Sequence, residues 1–375
     1  MAETISQAVL RREEVARYLR GEHGEDPEAA RARVRAYLAE LQTTQRYALY
    51  RFLKHPVYPL LRRIPKHVEH VERAVAAARA GRVMYASNHK SHTDYLIEPI
   101  VIDDAGIRAP VIAAGINLFG GVLGVVNRHV TGAVPIRRGM KDPAYLITLK
   151  AYVAELLRRH DILFYPEGGR SYSGELKPPK TGLIHAAMQA GIDRLGIVPV
   201  AISYDLVLED RILSRQQVKR RQRPFTAELA EMTRDAVGYR SRVFVTFGDS
   251  IPTADHDPQS RRDMLDLAQA VLQAIGRLYK VTPTAVVATA MRPHSMRRDL
   301  EGRADDLVGR LRSEGANLSV DSGRQAVDEG VRALARRGVL AVEGERVRVR
   351  NRQMLRYYAR MIDHLVTPRR GAARS

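Results

Sequence analysis

Val83-Met84-Tyr85-Ala86, continued by Ser87-Asn88-His89-Lys90-Ser91-His92-Thr93-Asp94 and then Tyr95-Leu96-Ile97, decides how this chain folds. The four apolar residues read as a short buried strand, and Tyr95 reads as the start of a helix. A His at the mouth of a strand-to-helix turn faces a cleft. An Asp five positions later comes within reach of the imidazole if the turn folds back. Such a pair suits general-base work: the carboxylate holds Nδ1–H, and Nε2 takes a proton from a substrate hydroxyl. The structural alternative is that Asp94 only caps the helix, with Ser91 to Asp94 as a capping arrangement. Other stretches have to decide between the two.

Outward from this stretch, residues 82–250 alternate short apolar runs with helical patterns. The runs are Val83–Ala86, Val111–Ala114, Ala133–Ile136, Ile162–Tyr165, Ile197–Ser203 and Val243–Phe247; Pro143–Arg159 and Leu183–Ala190 read as helices. The alternation predicts an α/β fold, a largely parallel sheet flanked by helices. Ligands of such sheets sit at the carboxyl ends of strands, and His89, Arg137 and Glu167 each lie just past one. Pro199, inside Ile197–Ser203, points to an edge strand or a strand start.

The flanks are helical. The expected organisation is an N-terminal helical region (1–80), an α/β domain (81–250), a C-terminal helical region with a hairpin (251–367) and a disordered tail (368–375). Val68 to Arg79 reads as a helix closed by Gly81 as its C′ residue. Pro258–Tyr279, Met291–Ser313, Arg324–Arg337 and Gln353–Val366 are the C-terminal helices. Val339–Val342 and Val347–Val349 form a hairpin around Glu343 to Arg346.

Composition narrows the function classes. The 375 residues are 45% hydrophobic, enough for a sizeable core. With no Cys, disulfides, thiolate metal sites and a Cys nucleophile are excluded, and a reducing compartment fits. The formal charge of +19 implies an anionic partner: nucleic acid, an acidic membrane surface or a phosphorylated substrate. The N-terminus lacks a basic segment followed by an apolar core, so no signal peptide is expected. Ala109 to Asn127 is uncharged but rich in glycine, and reads as a strand and turn or an interfacial segment, not a membrane span.

Two further stretches carry candidate chemistry. Arg137 and Arg138 close a strand with planar forks of donors that suit phosphate oxygens. Phe164-Tyr165-Pro166-Glu167-Gly168-Gly169-Arg170-Ser171 ends a strand in a carboxylate, two glycines that admit close backbone approach, and an Arg. Lys180 follows just before a helix, where an anion also meets free N–H groups. Glu167 either bonds a substrate hydroxyl or holds an Arg. A Walker A loop is absent, and Lys180-Thr181-Gly182 lacks the upstream context of a β-lactamase.

As an ordered set, His89-x4-Asp94, the Arg pair, Glu167 to Ser171 and Ile197-Val198-Pro199-Val200 resemble the four motifs of the glycerophospholipid acyltransferases. The likeness is greatest to the glycerol-3-phosphate acyltransferase branch; lysophosphatidate acyltransferases usually carry Gly-Thr at Gly168-Gly169. It extends to Ala113–Leu118, Val281–Ala285 and Leu355–Leu365, so it covers roughly residues 45–366. The resemblance implies acyl transfer from acyl-CoA or acyl carrier protein to the sn-1 hydroxyl of glycerol 3-phosphate, without metal or organic cofactor. His89 and Asp94 would be the catalytic pair. Arg137, Arg138, Arg170 and Lys180 would bind the phosphate, with Glu167, Gly168, Gly169 and Ser171 shaping the acceptor site. It further implies work at the cytoplasmic face of the cell membrane, as a peripheral or monotopic protein. Arg215, Lys219, Arg220, Arg221 and Arg223, with apolar residues between Ile116 and Val126, would make the contact. The rivals are dihydroxyacetone phosphate or lysophosphatidate as acceptor. From a different class comes a winged-helix module over residues 324–349 that binds nucleic acid; the expectation is that nucleic acid is not a partner.

Overall fold

The structure, a computed structural model, describes residues 3–21, 24, 26–52, 65–219 and 241–367. The chain starts with three helices, α1 (Ile5–Arg11), α2 (Glu13–Leu19) and α3 (Pro27–Leu41). Thr4 and Gln7 close a capping box on α1, and Asp26 caps α3 ahead of Pro27 in the first turn. Val34, Leu38 and Leu41 form the buried stripe of α3, as their spacing dictates.

Next come β1 (Lys66–Glu69), α4 (Val71–Ala80), β2 (Arg82–Ser87), α5 (Asp94–Asp104), β3 (Val111–Gly115), α6 (Gly121–Val126), β4 (Val134–Ile136), α7 (Pro143–Leu157), β5 (Ile162–Phe164), α8 (Gly182–Met188), β6 (Leu195–Tyr204), α9 (Asp210–Lys219), β7 (Val243–Phe247) and β8 (Ile251–Pro252). The strands form one sheet in the order β1-β7-β6-β2-β5-β3-β4, with β8 also on β6. The run from β6 through β2, β5 and β3 to β4 is parallel throughout; β7 is antiparallel to β6 and parallel to β1. The expected largely parallel sheet is therefore present. Its five co-directional strands deliver their carboxyl ends to one edge, where the loops after them converge.

Strand alternation splits the interior in two. On β2, Val83 and Tyr85 face one core with α5 and the helices beyond residue 282, whereas the helix at 261–278 packs in the other. Met84 and Ala86 face the other, with α1, α3, α7 and α8. The N-terminal helices are thus a layer on the sheet.

Three expectations for residues 1–252 need correction. The α/β unit does not begin at 81 and end at 250, because β1 pairs with β7 and β8 with β6. Val68 belongs to β1, and His70, with a left-handed φ of 59°, turns the chain into α4. Gly81 ends α4 in extended conformation; it is glycine because a Cβ would lie 2.2 Å from the Arg194 carbonyl oxygen. Pro199 lies mid-strand in the sheet interior and not at an edge. Its carbonyl accepts the Gly248 N–H at 2.8 Å, so its missing N–H points at the gap between β7 and β8.

The chain continues through α10 (Arg261–Leu278), β9 (Lys280–Val281), α11 (Pro283–Ala290), β10 (His294–Met296), α12 (Arg297–Ser313), β11 (Asn317–Leu318), α13 (Gly323–Arg336), β12 (Leu340–Glu343), β13 (Arg346–Val349), α14 (Arg352–Arg360) and α15 (Asp363–Val366). Met291 to Met296 is strand and turn where a helix was expected, since Pro293 interrupts the helical pattern. The expected hairpin is β12–β13, and β10 adds to it in the antiparallel order β10-β13-β12. With α11, α12 and α13 this is the element order of a winged helix. The tail 368–375 and Arg220, Arg221 and Arg223 lie outside the described residues.

Candidate active site

Asn88 anchors the loop after β2. Its side-chain amide is fully buried and exchanges two hydrogen bonds with the Ile202 backbone of β6, at 2.9 and 2.8 Å. The next residue, His89, is thereby aimed over the sheet edge. Its Nδ1 lies 2.9 Å from Asp94 Oδ2. The same oxygen accepts the Lys90 and Ser91 N–H groups at 2.7 and 2.9 Å, and Oδ1 accepts the Tyr204 hydroxyl at 2.6 Å. Asp94 is therefore no helix cap: Thr93 holds that position, and the carboxylate bonds residues that precede it. The imidazole is stacked on Tyr165, 4.1 Å between centroids and 13° between planes.

Electrostatics sets the resting state. Burial holds the His89 pKa well below its ordinary value, reinforced by the positive charges of Arg170, Arg138, Lys177 and Lys90. Burial pushes Asp94 up to about 6, against hydrogen bonds from Ser91, Tyr204 and Lys90. At pH 7 the pair is thus a neutral imidazole beside an ionised carboxylate, and Nε2 is able to accept a proton.

The loop after β5 is tied to the same His. Glu167 Oε1 accepts the His89 N–H at 3.1 Å and Oε2 the Lys177 N–H at 3.0 Å; the His89 carbonyl accepts the Ser171 N–H at 3.0 Å. Both backbone groups of His89 are consequently held by residues 167–171. Glu167 is engaged with backbone N–H groups, which makes it a shaper of the loop. Ser171 is fully buried and its hydroxyl donates to the Glu175 carbonyl at 2.6 Å, away from the cavity.

The four expected phosphate cations do not all converge. Arg137 is turned outward and held by both Glu40 oxygens at 2.7 Å. Arg138 lies between two glycines: a Cβ on Gly169 would be 2.9 Å from its Nη1, and one on Gly115 would be 3.1 Å from Nη2. Among the described residues nothing accepts a hydrogen bond from it. Lys180 crosses Gly168, where φ is +72° and a Cβ would meet its side chain at 2.8 Å. Arg170 is 7% exposed, with Nη1 3.6 Å from Glu209 Oε1. Sequence reading missed Tyr165, Tyr204, Glu209 and Lys90. Tyr204 ends β6 and could have been found from its strand-end position. Lys90, buried with Nζ 2.7 Å from the Gly174 carbonyl and its pKa lowered by burial to about 8, is a clamp.

Two cavities meet here. A small one of about 30 Å³ is bounded by His89, His92, Tyr95, Asn117, Arg138 and Arg170. A larger pocket of about 260 Å³ is apolar along Ile136, Leu146, Leu149, Phe164, Leu183 and Ala186, and bears Arg138 and Lys180 at its polar side. Ala113, Ala114, Gly115, Arg138 and Tyr165 line both. The arrangement offers a neutral base, cations for an anion and an apolar slot in one cleft.

Residues 66–203 match the family model described as acyltransferase, and that segment is an acyltransferase domain. The glycerol-3-phosphate acyltransferase of Aeromonas hydrophila is 33% identical over 235 residues, 60% of this chain and 29% of that protein. Those of Pseudoalteromonas translucida and Alteromonas mediterranea are 43% identical over 133 residues and 31% over 234. The chain spans 29%, 16% and 28% of the length of these three relatives. The solved 1-acyl-sn-glycerophosphate acyltransferase of Thermotoga maritima aligns with a TM-score of 0.36 at 14% identity, over 72% of this chain and 92% of that one.

Proposed function

We propose that the protein is a glycerol-3-phosphate 1-O-acyltransferase that uses an acyl thioester, acyl-CoA or acyl carrier protein, as donor. His89 Nε2 takes the proton of the sn-1 hydroxyl as its oxygen attacks the thioester carbonyl. The tetrahedral intermediate collapses with cleavage of the C–S bond, and the imidazolium returns the proton to the departing thiolate. Asp94 fixes the tautomer and steadies the transient imidazolium, and backbone N–H groups of the surrounding turns steady the oxyanion. Arg138, Arg170 and Lys180 hold the acceptor phosphate, and the apolar pocket takes the beginning of the acyl chain. Lysophosphatidate is the product, at the cytoplasmic surface of the membrane. The observation that carries this reading is the 2.9 Å contact of His89 with an Asp94 whose two oxygens are both held, in a cleft bearing Arg138 and Arg170.

The test is an acceptor panel with purified protein and one acyl-CoA, read by product mass. Acylation of glycerol 3-phosphate above dihydroxyacetone phosphate and lysophosphatidate is expected; preference for either of the others reassigns the acceptor. The winged-helix order of the C-terminal unit does not favour nucleic acid. Its turn carries Glu343 and Glu345, and Arg337, just past α13, is directed inward onto Asp210 at 2.6 Å.

A further inference from the structure

Glu209 has no part in the chemistry above, yet its carboxylate is fully buried under the site, in the loop between β6 and α9. Oε2 accepts the Ser91 hydroxyl at 2.5 Å, and Oε1 accepts the His92 N–H at 2.6 Å. Oε1 also stands 3.6 Å from Arg170 Nη1. A carboxylate is tolerated at such depth when donors and a counter-ion surround it. These partners belong to the two loops that frame His89. Ser91 and His92 lie between His89 and Asp94, and Arg170 precedes Ser171, whose N–H bonds the His89 carbonyl at 3.0 Å. The neighbouring Asp210, equally buried, turns the other way. It accepts Arg337 Nη2 at 2.6 Å and the Tyr358 hydroxyl at 2.5 Å. Two adjacent carboxylates thus connect the catalytic loop with the C-terminal unit.

The structure assigns Glu209 as a positioning residue: it fixes the Ser91–His92 turn, and through it the His89–Asp94 geometry, and it seats Arg170 at the anion side of the cavity. The assignment rests on the acyl-transfer reading for its kinetic consequences, and on contacts alone for its structural ones. Asp210, Arg337 and Tyr358 make the seat of Glu209 rigid. Truncation before α13 removes Arg337 and Tyr358 together.

Two variants separate the roles. Glu209→Gln retains the shape and an acceptor for the His92 N–H but removes the charge that faces Arg170. It is expected to raise the acceptor KM about tenfold, the scale of losing one close, buried counter-charge. The donor KM and the unfolding temperature should stay nearly unchanged. Glu209→Ala also removes the acceptor of the His92 N–H. It should lower kcat and speed amide hydrogen exchange in the peptide 88–95. A Gln variant with wild-type acceptor KM, or with donor and acceptor KM raised alike, overturns the assignment of Arg170 to Glu209. Unchanged exchange in a folded Ala variant overturns the brace, and if that variant does not fold, the Gln variant decides. Wild-type protein inactive with every acceptor defeats the acyl-transfer reading instead, and the exchange measurement still judges the brace.

Discussion

Arg137 and Arg138 are adjacent, chemically identical and differently employed. The sequence offers no way to tell them apart, because what separates them is Glu40, 97 positions away from Arg137. Arg138→Ala is expected to raise the acceptor KM by about 10- to 100-fold, as loss of a charged hydrogen-bonding partner does, with little effect on the donor KM. Arg137→Ala should leave both nearly unchanged; steady-state kinetics on the two variants with varied acceptor checks this, and a larger effect at Arg137 would give that residue the site. His89 and Asp94, by contrast, were legible from spacing, since both partners lie in one turn. His89→Ala should lower kcat by roughly 10²–10⁴-fold with unfolding unaltered, and His92→Ala by much less. The pH profile carries a sign. Because the folded His89 pKa is well below the unfolded value near 6.5, the imidazole contributes stability above about pH 6.5 that is lost as pH falls. Asp94, raised to about 6, contributes in the opposite sense: its stabilisation is present below about pH 4 and lost as pH rises through about 6. For catalysis both must be in their pH 7 forms, so the acid limb of kcat/KM should have its midpoint at about 6 or lower. A midpoint above 6.5, measured between pH 5 and 8, would contradict a desolvated base.

Elements were read well where one physical signal dominated. The parallel strands were visible as apolar runs, and their alternation with helices gave the sheet. β1 was missed because Lys66-His67-Val68-Glu69 is polar in composition; the strand exists because β7 offers it a partner, with Lys66 beside Val243 and Glu69 beside Thr246. Pro199 was misplaced because local rules cannot see that β7 and β8 leave a gap opposite it. The three-stranded wing sheet likewise needs β10, whose three residues His294-Ser295-Met296 carry no periodic signal. The loop after Ser171 shows how an element far along the chain closes the site. Gly174 has φ +89°, and a Cβ there would lie 2.1 Å from the Tyr357 carbonyl oxygen on α14. Its own carbonyl accepts Lys90 Nζ. Gly174→Ala therefore combines backbone strain with a backbone clash, and should destabilise by at least about 1–3 kcal/mol. Because the loop is bonded to Lys90, next to His89, kcat should fall together with the unfolding temperature. A variant that unfolds earlier but keeps full turnover below its transition would show that α14 does not support the site.

At the scale of the whole molecule, the charge of +19 has to be reconciled with the proposed substrate pair, of which one member is amphiphilic. No helix among the described residues is long and apolar enough to cross a membrane. We propose that attachment to a membrane surface combines two weaker sources. One is apolar. Phe52 is 70% and Val125 60% exposed, on the helical turn 47–52 and on α6. The segments that bear them meet where the Thr44 N–H bonds the Arg128 carbonyl at 3.0 Å. The stretch just before α6 supplies Asn117 and Leu118 to the wall of the His89 cavity, so an amphiphile held there would stand next to the base. The other source is charge, since basic residues near an anionic surface contribute on the order of 1 kcal/mol each. Salt should weaken an attachment of this kind without abolishing it, because screening reaches the charges and leaves the apolar contact in place. Flotation with liposomes of graded anionic lipid, at low and high salt, measures both parts. Binding is expected to rise with lipid charge and to fall partway in high salt. Replacing Phe52 and Val125 together by Ser should remove the salt-resistant fraction. Flotation indifferent to lipid charge and salt would eliminate the electrostatic part, and a double variant that floats like wild type in high salt would move the apolar contact to another surface.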